Sequence, residues 1–247
     1  MYKINYEQVT KAFDDYYEAY KDLSNDISFK YEHSYNVAKL MGDLAKRLGL
    51  DENDIELAKT IGLLHDIGRF EQLKTTGSFK DDKFDHAIYG GKILMEDHLI
   101  EKFIDSREYD ELINFAIVNH NKFAIDKCDD ERVLMFAKMI RDMDKTDIYY
   151  QIAIKYSPEF DGNVSKKVLD AFMNGESVNH KDRKTKSDAV ITELAFLNDY
   201  NFNESLDLLV ETDNFGLYLS TIDVKEEAYP LFSELRTKCY ELINKGV

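Results

Sequence analysis

The sequence predicts an all-α protein. Three observations lead there. The 247 residues contain only 2 Pro and 11 Gly, whereas a sandwich or barrel needs a turn about every 8–12 residues. Apolar side chains recur at three- and four-residue spacing along several segments, the period of an amphipathic helix. The composition, 44% apolar and 32% charged, is that of an ordinary globular chain with enough length to bury a core.

Five helical segments follow in order. The first is expected from about Tyr31 to Leu48, with Val37, Leu40, Met41, Leu44 and Leu48 on one face. His33 lies four residues before Val37, on that same face. The second is expected from about Asn53 to Ile67, with Asp51 as N-cap and Gly68 as stop. Ala58, Ile61 and His65 share its stripe, with Asp66 beside it. The third starts near Asp85 and carries His86, Gly90, Ile93 and Leu94. In the fourth, Ile113, Ala116, Ile117 and His120 recur at helical spacing. The fifth has the stripe Val133, Phe136, Ala137, Ile140 and Ile148, with Asp144 on it. Asp142 is two residues from Asp144, so on a helix the two point about 200° apart, and Asp142 is expected to face solvent.

Beyond the fifth segment, Ser165–Met173 and Asp188–Leu197 read as short helices around a polar loop, Asn174–Asp188. Lys225–Asn244 reads as a last helix. The expected organisation is a core over residues 1–156 and a helical extension over 157–247 packed on it.

Several function classes are disfavoured. No apolar run approaches the roughly 18 residues of a membrane span, and the polar N-terminus does not read as a signal peptide. Cys128 and Cys239 form no disulfide framework, so a cytoplasmic protein is expected. The net charge of −16 argues against non-specific binding to a phosphate backbone, and no nucleic-acid polymer is expected as partner. An anionic small molecule remains compatible, because divalent ions reverse the local field. Oligomeric state is not legible.

A lone His on an apolar face is more often a satisfied core residue than a ligand. Here His33, His65, His86 and His120, with Asp66 and Asp144, occupy inward or near-inward positions on separate helices. A buried carboxylate needs a cation or strong hydrogen bonds. Imidazole and carboxylate together suit Fe, Mn, Ni, Co or Zn, with Mg also admissible. Six ligands exceed one closed tetrahedral site but suit two ions sharing a carboxylate. His98 follows two acids and His180 lies in the polar loop; both are expected at the surface.

Leu63-Leu64-His65-Asp66-Ile67-Gly68-Arg69 resembles the signature of the HD-domain metal-dependent phosphohydrolases. The ordered series His33, His65-Asp66, His86, His120, Asp144 resembles that family's five-site pattern. Asp85-His86-Ala87 and Asp142-Met143-Asp144-Lys145 resemble its third-histidine and closing segments. The resemblance covers roughly Tyr31 to Tyr150. It implies an HD-type helical bundle in which His33, His65, Asp66 and Asp144 hold one ion. Asp66 would bridge to a second ion held also by His86 and His120.

Hydrolysis of a phosphate ester or anhydride is what the resemblance then implies, with a nucleotide as the preferred small-molecule substrate. Two cations would lower the pKa of a bridging water. Lys145, after the last ligand, and Arg69, four residues after His65, could neutralise phosphate charge. Lys122 and the basic loop of Lys181, Arg183, Lys184 and Lys186 are weaker candidates. The HD-GYP cyclic-di-GMP phosphodiesterases resemble the same order but carry adjacent histidines and a Gly-Tyr-Pro triplet. Here the segment is Asn119-His120-Asn121-Lys122 without that triplet. Bacterial diadenosine tetraphosphate hydrolases look similar in using single histidines. Two alternatives share the ligand set: a diiron oxygenase of the HD superfamily, and a metal-dependent nucleotide-binding sensor.

Overall fold

The computed structural model describes residues 2–81 and 83–247. Regular structure among them is almost wholly helical, as the low turn-residue content requires. No helix among the described residues is long and apolar enough to cross a membrane.

The chain divides into two compact units, Met1–Asp144 and Lys145–Val247. In the first, α1 (Tyr6–Glu18) starts at Asn5, whose side chain accepts from the amides of Glu7 and Gln8. Helix α2 (Asn25–Arg47) begins before the expected Tyr31 and buries His33 with Val37, Leu40, Met41 and Leu44. Helix α3 (Glu52–Leu64) is capped by Asp51, which accepts from the Asp54 amide. Helices α2 and α3 lie close enough that a Cβ on Gly62 would sit 2.7 Å from the Ala38 Cα.

Gly68 is not the stop that the sequence suggested. Helix α3 ends at Leu64, and α4 (Ile67–Thr76) begins after only two intervening residues, with Gly68 inside it. The reason for glycine there is contact. A Cβ on Gly68 would fall 2.1 Å from the carbonyl oxygen of His86 in α5 (His86–Met95). Asp85 caps α5 by accepting from the amides of Ala87 and Ile88. Helix α6 (Asp110–Asn119) and the long α7 (Glu131–Lys155) follow.

The unit boundary falls inside α7. The second unit has its own apolar core, in which Tyr149, Phe160, Phe172, Leu194, Tyr218 and Leu235 are fully buried. Its helices are α8 (Lys166–Met173), α9 (Lys186–Leu194), α10 (Asn203–Thr212), α11 (Asn214–Thr221) and α12 (Tyr229–Lys245). Two short parallel strands, β1 (Glu159–Phe160) and β2 (Asp223–Val224), pair Glu159 with Asp223.

Candidate metal centre

The break between α3 and α4 makes the site. His65 is the C-cap of α3 and Asp66 the N-cap position of α4. The Asp66 side chain makes no capping bond, so both carboxylate oxygens are free for other partners. His120 is likewise the C-cap of α6. Both imidazoles stand where the negative ends of helix dipoles favour a cation.

His33, His65, Asp66, His86, His120 and Asp144 converge. Three sets of three come together: His33 with His65 and Asp66, His65 with His120 and Asp144, and Asp66 with His86 and His120; within each, the ligand atoms lie within 4.8 Å of one another. The two oxygens of Asp66 face opposite halves. Its Oδ2 is 3.6 Å from Nε2 of both His33 and His65. Its Oδ1 is 3.0 Å from His86 Nε2 and 3.5 Å from His120 Nε2. Asp144 Oδ1 completes the first half, 3.1 Å from His33 Nε2 and 3.5 Å from His65 Nε2.

The ring orientations are set from behind. His65 Nδ1 donates to the Gly62 carbonyl at 2.7 Å, and His120 Nδ1 donates to the Ile117 carbonyl at 2.6 Å. His86 Nδ1 lies 2.7 Å from Asp81 Oδ1. With each Nδ1 carrying the proton, the Nε2 lone pairs point inward. His86 Nε2 and His120 Nε2 are only 3.0 Å apart, a repulsive arrangement for two lone pairs unless a cation lies between them. His65 Nε2 is buried without a hydrogen-bond partner. This donor set fits divalent metal ions, soft enough for imidazole and hard enough for carboxylate.

Charge supports the same assignment. Burial alone would raise the pKa of Asp66, but Lys30 and the surrounding histidines hold it well below the usual carboxylate range. Burial alone would likewise raise the pKa of Asp144, but the His33 and His65 rings beside it hold it well below the usual carboxylate range. Burial pushes His120 down, favouring the neutral ring that a metal needs.

Lys30 and Arg141 escaped the sequence reading. Lys30 places its ammonium 2.7 Å from Asp66 Oδ2; the signal was its position one helical turn before His33. Arg141, buried in α7, donates to the carbonyls of Asn119 and His120 at 3.1 and 3.2 Å, fixing the chain around His120. Asp142 is not solvent-facing as expected. It is fully buried, because this turn of α7 is covered all round: Ile140, Arg141 and Met143 are buried too.

The basic candidates are engaged. Arg69 bonds Asp81 and the Phe79 carbonyl, and its Nε lies 3.6 Å from Asp66 Oδ1. Lys145 Nζ lies 2.6 Å from Asp199. Lys122 pairs with exposed Asp126. His98, against Glu101, and His180 are at the surface, as expected.

The HD domain family matches residues 31–149. Those residues are an HD domain. The match and the convergent histidines and aspartates bear out the resemblance drawn from the ligand series. Curated relatives that the chain matches are named Ribonuclease Y. That of Petrotoga mobilis is 36% identical over 106 residues, covering 43% of this chain and 16% of the relative. That of Mycoplasma mycoides is 39% identical over 82 residues, 32% of this chain and 17% of the relative. That of Protochlamydia amoebophila is 43% identical over 65 residues, 26% of this chain and 11% of the relative. The chain thus spans less than a fifth of the length of these relatives. No solved structure gives a significant match. Family and relatives together support a metal-dependent hydrolase.

Proposed function

We propose that this chain hydrolyses a phosphate ester or anhydride at a two-cation centre shared across Asp66. The observation that carries the proposal is the opposed use of the two Asp66 oxygens, one toward His33 and His65, the other toward His86 and His120. Divalent ions bound there would polarise a phosphoryl oxygen and lower the pKa of water. The chain's own contribution is positional. His33, His65 and Asp144 hold one side, and His86 and His120 the other. The main-chain carbonyls of Gly62 and Ile117 keep two of the rings from turning. Arg69 and Lys30, both in contact range of Asp66, supply positive charge for a phosphate.

A nucleotide is the proposed substrate, held as a compact anion against an otherwise acidic chain. The relatives' name widens this. A ribonuclease cleaves RNA, so an RNA phosphodiester joins the candidate substrates, and the expectation of no nucleic-acid polymer is relaxed accordingly. The same name favours hydrolysis over the oxygenase and sensor alternatives.

The test is phosphate or phosphodiester cleavage across nucleoside phosphates, dinucleotides and short RNA with Mn²⁺ or Fe²⁺ supplied anaerobically. Asp66→Ala should abolish cleavage and lower metal content. Full activity in that variant would overturn the proposal.

A further inference from the structure

We propose that Asp81 is the positioning residue of the second cation site: it aims His86 and thereby sets whether the centre holds one ion or two. This rests on the two-cation reading above.

The three rings anchored through Nδ1 are not anchored alike. His65 and His120 end their helices, and each finds a carbonyl three residues back on its own chain. Those acceptors survive any side-chain change. His86 is the first residue of α5, so no preceding helical carbonyl is available to it. Its Nδ1 acceptor is a side chain on the loop before the helix, Asp81 Oδ1 at 2.7 Å. Its Nε2 then faces Asp66 Oδ1 and His120 Nε2, each at 3.0 Å.

Asp81 is itself held from α4. Gln72, fully buried, donates through Nε2 to Asp81 Oδ1 at 2.8 Å and to the Phe84 carbonyl at 2.7 Å. Arg69 reaches both Asp81 oxygens from Nη1 and Nη2, at 3.0 and 3.3 Å, while Nη1 also donates to the Phe79 carbonyl at 2.8 Å. Phe79, Lys80, Asp81 and Phe84 are thus all held from α4, and the Asp81 carboxylate is fixed behind one imidazole. A carboxylate acceptor orients a ligating histidine and raises its basicity. Loss of such a partner typically weakens metal binding by about 10- to 100-fold. His65, on the other half, is oriented by the Gly62 main-chain carbonyl rather than by Asp81, so the first site should be spared.

The experiment is titration of the chelator-stripped full chain with Mn²⁺, followed by calorimetry, for wild type, Asp81→Asn, Asp81→Glu and His86→Ala. Wild type should take two ions. Asp81→Asn should keep one at near wild-type affinity and bind the second about 10- to 100-fold more weakly, approaching His86→Ala. Asp81→Glu should recover part of the loss. Two ions at unchanged affinity in Asp81→Asn would overturn this proposal alone. Equal weakening of both sites would also overturn it, showing a general structural role. A single ion in wild type would overturn the two-cation reading itself, and the proposal with it.

Discussion

Gly68 faces the carbonyl oxygen of His86 where α4 meets α5, and a methyl group there would come within 2.1 Å of it. Neither partner can yield, because both are backbone and the carbonyl belongs to a proposed ligand. Gly68→Ala should therefore destabilise the protein by about 1–3 kcal/mol through overpacking, and weaken binding of the second ion by displacing His86. Thermal unfolding with and without Mn²⁺ checks this. An unchanged Tm would show that the helices can separate at no cost. Sequence had marked this glycine as a helix stop, which was reasonable for a glycine following apolar spacing. The real break falls at His65 and Asp66, with neither glycine nor proline to signal it. Asp142 was misplaced for a related reason. Periodicity assigns one face to solvent, but that turn of α7 is buried on every side.

Helix termini organise both units. In the second, Asp188 stands in the first turn of α9, and Thr185 and Asp188 form a reciprocal cap. The buried Asp188 carboxylate accepts from the Ser165 amide and hydroxyl, both at 2.7 Å, and from the amides of Lys184 and Thr185 at 2.9 and 3.2 Å. Burial would raise its pKa, but these bonds outweigh it and hold the carboxyl below the ordinary value. A depressed folded pKa stabilises above the unfolded pKa, near 3.9, and that contribution is lost as pH falls through the folded value. Asp188→Asn should cost about 1–3 kcal/mol at pH 7, with the gap to wild type closing below about pH 4. Denaturant melts at both pH values measure it; a gap that does not change with pH would contradict the account. Elements were legible where stripes were long. Val37 to Leu48 and Ile113 to His120 carried their histidines to the right faces, and the convergence of His33, His65, His86, His120 and Asp144 was visible before any coordinates. Lys30 and Asp81 were not. Lys30 precedes the stripe that located α2, and Asp81 lies in a loop, where no period exists to show which way a side chain points. Helix α1 was also missed, although its Asn5 cap and buried Val9 and Phe13 give it ordinary helix signals.

At the scale of the whole molecule, the chain combines a net charge of −16 with a pocket of imidazole and carboxylate that only cations would reconcile. Bulk charge repels anionic substrates, and bound divalent ions reverse that field locally. The proposed metal centre is therefore the feature on which the proposed phosphate chemistry depends, and its candidate ligands all belong to Met1–Asp144. The second unit contributes a separate core and no residue of that ligand set. The most direct measurement is anomalous diffraction from crystals of the full chain loaded with Mn²⁺. Two peaks about 3.5–4 Å apart should flank Asp66, one beside His33, His65 and Asp144, the other beside His86 and His120. A single peak, or two peaks with Asp66 touching only one, would contradict the shared-carboxylate centre.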